Sequence, residues 1–397
     1  MNMSASTETS AIVDFFHRKS VFITGATGFI GKQLVEKLVR SCPDIEHIYI
    51  LVRSKRGQGV DDRVKQLCAS PLFNTIRRVN PAFEKKIIPI QGDILEPNFG
   101  ISSADEYTLI EQCHIVFHSA ATIRSHEPLR SAIQLNINSV KKLLSLCHKM
   151  KNLQAIIHVS TAYANCNRSD CAEVIDLPSI EPKKLLDASE WMDSSVFDVL
   201  TTKLIRDRPN TYTYTKALAE FVISEEGIDL PIAIIRPSIV GASWKEPFPG
   251  WIDNYNGPSG LIISLGKGML RTMLGNSNAR ADIVPVDIVV NMMISVAWYT
   301  AVKRFDLAEM NWASYWQDYN IGIKKYVLRE DFDHIPKYIH HCRRLKRIQN
   351  ILLFSLVTLA LKLVFYKSFR IRQVLMSMLR ITLTLLNTLA YKLHVRK

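Results

Sequence analysis

A short apolar run, Ser20–Thr24, leads into the turn TGATGFIG (Thr24–Gly31) and then into an amphipathic stretch, Phe29–Arg40. Gly25, Gly28 and Gly31 stand three residues apart. A turn of this kind has few side chains to fend off a phosphate. It also aims the amides and the positive end of the new helix at one. The pattern then repeats. His47–Val52, Lys86–Gln91, His114–His118, Gln154–Ser160 and Pro231–Arg236 read as strands, with helical patterns such as Leu129–Met150 and Tyr214–Glu226 between them. Near-continuous apolar strands separated by helices predict an α/β fold, a doubly wound parallel sheet covered on both faces.

The chain has 397 residues, enough for a large core, and a formal net charge of +13. Asp333 is the last acidic residue, and 13 basic residues follow it. The body is therefore neutral, and the whole excess lies in a Leu-rich tail. That distribution argues against nucleic acid as a partner and for an anionic membrane lipid surface. The tail holds two apolar segments, Ile351–Tyr366 and Val374–Leu393, interrupted by Lys362 and Arg380. Each is short of the roughly 20 uninterrupted apolar residues of a spanning helix, so an interfacial hairpin fits as well as a transmembrane helix. The predicted fold thus ends in a C-terminal helical, membrane-associated region.

The seven cysteines (Cys42, Cys68, Cys113, Cys147, Cys166, Cys171 and Cys342) are odd in number and scattered, and the N-terminus lacks a signal-peptide pattern. Both favour a body in the reducing cytosol. His334, His340, His341 and Cys342 lack a second ligand pair at zinc spacing, so no metal is expected.

The glycine turn predicts a bound dinucleotide, with Thr24, Gly25, Thr27, Gly28, Phe29, Ile30 and Gly31 around it, in a fold of the Rossmann type. At the end of the second strand an NAD enzyme usually carries an acid for the ribose 2′-hydroxyl. Here Arg53 stands there, which favours the 2′-phosphate of NADPH. Gly92-Asp93-Ile94, after the third strand, is placed to reach the adenine. His118-Ser119-Ala120-Ala121, after the fourth, is small enough to let the cofactor pass. Ser160 and Thr161 put hydroxyls at the carboxyl end of the fifth strand, the edge where such sheets bind ligands. Tyr212 and Lys216, four apart, share a helix face. An ammonium beside the phenol would lower its pKa and make Tyr212 a proton donor. Tyr299 and Lys303 have the same spacing without that setting and read as a helix surface.

This set resembles the extended short-chain dehydrogenase/reductase superfamily, and longer stretches resemble the fatty acyl-CoA reductases of the male-sterility type. FFHRKSVFITGATGFIGK is similar to that family's opening, and EPLRSAIQLNINSV, with Asn136, to its central helix. LPIAIIRPSIVGASWKEPFPGWIDNYNGPSGL, with Pro237, and DIVPVDIVVN are the most specific blocks. NWASYWQDYNIGIKKYVLRED is similar to the family's C-terminal signature. The resemblance implies reduction of long-chain acyl-CoA by NADPH to an alcohol through a bound aldehyde. In it Tyr212 is the acid, Lys216 holds the nicotinamide ribose, and Thr161 or Ser160 binds the carbonyl. It divides the chain into a reductase domain (12–301), a truncated C-terminal family domain (302–347) and a membrane-associated helical tail (348–397), on endoplasmic reticulum or peroxisome. Trp244–Leu274 reads as a substrate-side loop and lid.

The family normally places a helical segment before its C-terminal signature, whereas Val296–Thr300 here runs almost directly into Asn311-Trp312. That motivates an alternative, a non-catalytic NADPH-binding membrane protein. A sugar-nucleotide epimerase or dehydratase of the same fold is a third reading, opposed by Arg53 and the apolar tail.

Overall fold

The computed structural model describes residues 10–306, apart from 56, 125–126, 169–173 and 274–280, with side chains to residue 302. The chain divides into two compact units, Met1–Gly322 and Ile323–Lys397, and the described residues belong to the first. The expected domain at 302–347 lies almost wholly outside them, and the tail at 348–397 entirely so.

The first half alternates as the apolar runs require: α1 (Ala11–Phe16), β1 (Ser20–Thr24), α2 (Phe29–Ser41), β2 (Ile48–Val52), α3 (Val60–Ala69), α4 (Asn74–Val79), β3 (Ile87–Gln91), α5 (Ser103–Gln112) and β4 (Cys113–His118). There follow α6 (Leu129–Ile133), α7 (Ser139–Lys149), β5 (Ala155–Val159), α8 (Pro182–Trp191), α9 (Ser194–Ile205), α10 (Thr211–Glu226) and β6 (Ile232–Ile235). These six strands form one parallel sheet in the order β3-β2-β1-β4-β5-β6. Its strand order reverses between β1 and β4, the crevice where such sheets hold ligands. The described residues close with β7 (Ile239–Gly241), α11 (Pro258–Gly266), β8 (Ile283–Pro285) and α12 (Val286–Asp306), β7 pairing parallel with β8.

Alternate residues of each central strand serve opposite faces. Phe22, Tyr49, Leu51, Val116 and Ile156 meet Leu109 of α5 and Leu143, Leu146 and Cys147 of α7 in one cluster. On the other side α12 packs against α2 and β5, so both faces are dry, which is why the strands lack polar alternation.

Two local features differ from the sequence reading. The stretch Leu129–Met150 is helical but interrupted, because Gln134–Asn138 forms a wider π-turn between α6 and α7. Such turns recur at functional sites, and this one carries the buried Asn136. The fifth strand stops at Val159, so Ser160 and Thr161 lie beyond it. Thr161 instead caps a tight turn, Ala162–Asn165, its hydroxyl accepting from the Tyr163 amide at 3.2 Å. Among the described residues no helix is long and apolar enough to cross a membrane. The segments 351–366 and 374–393 fall outside them.

Candidate active site

The glycine turn is shaped by what surrounds it. Gly25 has φ +76°, and a Cβ there would lie 2.6 Å from the Ala120 amide nitrogen. Gly31 sits one helical turn above, where a Cβ would lie 2.2 Å from the Gly25 carbonyl oxygen. Both are therefore fixed by packing, Gly25 against the chain leaving β4 and Gly31 against the turn itself. Gly28, the N-cap of α2, is exposed. Together they leave the first amides of α2 open, a cradle that side chains would fill and that fits a pyrophosphate.

Thr24 stitches β1 to β4. Its hydroxyl lies 2.7 Å from His118 Nδ1, and its carbonyl accepts from the Ser119 amide at 3.2 Å and the Ser119 hydroxyl at 2.9 Å. Ala120 and Ala121 follow, half-buried, along the crevice. Phe29 stacks on Trp251 with ring centroids 5.2 Å apart. Its ring thus anchors the 243–253 loop, leaving its backbone to the cradle, while Ile30 beside it is half-buried.

At the adenosine end, Arg53 Nη1 donates to Asp93 Oδ2 at 3.0 Å. The Asp93 carboxylate also accepts from the Leu95 amide. Ile94 packs on the core cluster below, and its carbonyl accepts from Lys142. A residue the sequence reading missed joins them. Arg63, on α3, donates to the Arg53 carbonyl and, at 3.3 Å, to the Thr27 hydroxyl. Burial, then the Arg53 charge, lowers its pKa. Two guanidinium groups therefore lie together here, Arg63 bridging the end of β2 to the glycine turn and Arg53 paired with Asp93.

The chemical end is built by β5, α10 and the segment that follows β6. Asn210 caps α10, its side chain accepting from the Thr213 amide at 2.9 Å, and so places Tyr212 in the first turn. The Tyr212 phenol is in hydrogen-bond contact with Thr161. One turn on, the buried Lys216 donates to the Val159 carbonyl at 2.7 Å. The backbone carries the rest of the link, since the Ala162 amide donates to the Pro237 carbonyl at 2.9 Å.

Three expectations change here. Lys216 does not depress the Tyr212 phenol. Burial pushes that group above its ordinary value, the Thr161 contact opposing, while the ammonium donates one of its hydrogens to the Val159 carbonyl. Ser160 donates to Glu220, and Thr161 is the hydroxyl in contact with the phenol. Asn136 is buried and bonded twice within the protein, Oδ1 accepting from the Thr122 amide at 3.1 Å and Nδ2 donating to the Thr215 hydroxyl at 3.0 Å. It thus holds the post-β4 loop against α10.

Charge in this region is set by burial. Lys216 falls to about 8 through desolvation, Glu220 working the other way. Desolvation, then Lys216, lowers His118 to about 3, and His158, stacked 5.3 Å from it, is lowered too. Both imidazoles are neutral at physiological pH. The arrangement thus offers a protonated phenol and a hydroxyl near a cation, at the same sheet edge as a phosphate cradle. That is the equipment for reducing a carbonyl. Among the described residues no cluster of three or more His, Cys, Asp or Glu could hold a metal ion.

Known proteins point the same way. The model of the male sterility protein family, an NAD-binding domain, matches residues 23–293. Over 294 residues the chain is 53% identical to fatty acyl-CoA reductase 1 of Homo sapiens and 55% to that of Xenopus laevis. It is 52% identical over 295 residues to fatty acyl-CoA reductase 2 of Mus musculus. In each case 74% of this chain aligns with 57% of the relative, so the chain spans little more than half of their length. Among solved structures, the terminal R domain from the myxalamid PKS-NRPS biosynthetic pathway shares the fold (TM-score 0.51, 23% identity, 70% of this chain and 61% of that one). With the glycine cradle, the Tyr212–Lys216 pair and this similarity in agreement, the chain belongs to the male sterility protein family, within the extended short-chain dehydrogenase/reductases.

Proposed function

We propose that the protein reduces long-chain fatty acyl-CoA to fatty alcohol with NADPH, through an aldehyde that stays bound. The observation that carries this reading is the Tyr212–Thr161 contact above the buried Lys216, at the carboxyl edge of the sheet that also presents the glycine cradle. The substrate class comes from the relatives, which are fatty acyl-CoA reductases.

NADPH, when bound, supplies the hydride. Thr161 and Tyr212 hold the substrate carbonyl oxygen, and Tyr212, kept protonated by burial, gives its proton to the oxygen as negative charge develops there. Lys216 holds the nicotinamide ribose and fixes the end of β5 through Val159. In the first reduction the thioester carbonyl carbon gains hydride and its oxygen the Tyr212 proton. The C–S bond then breaks, the hydroxyl proton passing to the departing thiolate. Tyr212 regains a proton from solvent, and the site exchanges its spent cofactor for a second NADPH. In the second, the aldehyde gains hydride and a proton. Arg53 and Arg63 select the 2′-phosphate, which favours NADPH over NADH.

The reductase domain faces the cytosol. The basic apolar tail, 348–397, holds it on a membrane of the endoplasmic reticulum or peroxisome, where long acyl chains partition. The test is to supply the full chain with NADPH and palmitoyl-CoA in detergent and assay long-chain alcohol and aldehyde, beside Tyr212→Phe. Product that disappears in the variant supports the reading. NADPH binding without product excludes it for this substrate and favours the non-catalytic NADPH-binding protein.

A further inference from the structure

The helix α11 reads PSGLIISLG and has no buried residue. Leu261, Ile262 and Leu265 are exposed, Ile262 at 66%, and beyond the helix Met269 at 75% and Met273 at 63% are exposed as well. Tyr255, just before α11, is exposed too. Large apolar side chains gathered this densely on a surface mark an interaction site.

The charge around the face is one-sided. From Asn254 to Ala281 there is no Asp or Glu, while Lys267, Arg271 and Arg280 are basic. A face of this composition meets a partner that is apolar inside and anionic outside. Two occupants are disfavoured by the same charges. Residues 334–397 carry 13 basic residues and no acid, so the tail would bring like charge to Lys267 and Arg271. A second copy would set the basic face against itself.

We propose that α11 and the segment after it, residues 255–273, dip into the surface of an anionic lipid bilayer. Nine residues of helix are too short to span and long enough to lie in the interface, apolar side chains toward the acyl region and Lys267 and Arg271 among the phosphates. The residues of this contact are not those of the C-terminal tail. It sits on the loop that follows Asp253, whose carboxylate is tied to Lys32 on α2 at 2.7 Å. The bilayer contact is therefore covalently continuous with the loop fastened to the helix of the glycine cradle.

The test reads the position of one side chain and no catalysis, so its outcome is independent of the reductase assignment. A nitroxide is placed by Ile262→Cys on the full chain, with Cys166, Cys171 and Cys342 changed to Ser and the buried cysteines left in place. A second sample carries it by Val79→Cys on the exposed end of α4. The probes are phosphatidylcholine vesicles with and without phosphatidylserine. The proposal expects the Ile262→Cys label to lose contact with an aqueous nickel reagent and gain contact with oxygen on the phosphatidylserine vesicles. The Val79→Cys label should not change. Lys267→Glu with Arg271→Glu should cut the inserted fraction about tenfold or more, since each cation near an anionic surface is worth about 1 kcal/mol. A label that stays aqueous while the protein sediments with vesicles overturns it. So does one shielded before vesicles are added, which would show a protein surface covering the face. Equal insertion without phosphatidylserine overturns the anionic recognition.

Discussion

Glu220 and Arg236 are joined twice, Nε donating to Oε1 at 3.0 Å and Nη2 to Oε2 at 2.6 Å, and the carboxylate is 1% exposed. The same carboxylate accepts the Ser160 hydroxyl and raises the pKa of Lys216. One buried acid thus ties the segment after β6 to the turn carrying Thr161 and to the helix carrying Tyr212. Removing one member of a buried ion pair strands the other, at a cost of about 3–5 kcal/mol. Glu220→Gln keeps the size and part of the hydrogen bonding. It is expected to lower stability by about 2–3 kcal/mol in urea denaturation. A loss under about 0.5 kcal/mol would show the pair to be incidental.

Lys216 gives the pH dependence. Its ammonium, lowered to about 8, is present below that value and lost above it. Tyr212, raised above its usual range, keeps its proton throughout. Rate plotted against pH should therefore fall on the alkaline side with a midpoint near 8. In Glu220→Gln the midpoint should move to lower pH, because the carboxylate that favours the ammonium is gone. The folded-state value lies below the ordinary lysine value of 10.5. Lys216 thus opposes folding at neutral pH, and that opposition is relieved as pH rises from about 8 toward 10.5. An alkaline limb unmoved by Glu220→Gln would mean that another group sets it.

Arg63 is expected to discriminate between the two nicotinamide cofactors. Arg63→Ala should weaken NADPH binding about 10–100-fold, the range of a lost hydrogen bond to a charged group. NADH binding should stay within about twofold on the same grounds, since it has no 2′-phosphate. Fluorescence titration of both cofactors checks this, and equal weakening would assign Arg63 to loop structure alone.

The glycines separate strain from clash. Gly57 has φ +77° with nothing within 4 Å of a Cβ, whereas Gly25 has a similar φ and the Ala120 backbone in the way. Gly57→Ala should cost about 1 kcal/mol from backbone strain. Gly25→Ala should cost about 3 kcal/mol or more, strain and overpacking together, and abolish dinucleotide binding. Thermal melts of both variants with and without NADPH distinguish these outcomes.

Much of this was legible in the residues because it is local. The strands are near-continuous apolar runs, the glycine turn declares itself by spacing, and Tyr212 and Lys216 share a face by helical geometry. What escaped is pairing across long separations. Glu220 looks like an ordinary helix glutamate until β5 and β6 bring Ser160 and Arg236 to it. Arg63 is ten residues past Arg53 on another element, and only the fold of α3 returns it to Thr27. The pKa of Tyr212 went the other way from the spacing argument because burial, which spacing does not reveal, disfavours its anion. The short strand end at Val159 follows from Thr161, a good cap, beginning the next turn there.

The loop 243–253 is bound at both ends. Asp287 accepts from the amides of Trp244, Lys245 and Glu246, at 2.9, 2.8 and 3.1 Å. On the other side, Glu246 meets Lys37 and Arg40, and Asp253 meets Lys32. It is therefore not a portable module. Transplanted into another reductase, it would arrive with two acids that need three cations on the recipient's first long helix and an aspartate heading its last. Swapping such loops to retune substrate choice succeeds only when donor and recipient already share those anchors, so the unit of exchange is the loop together with α2 and the start of α12.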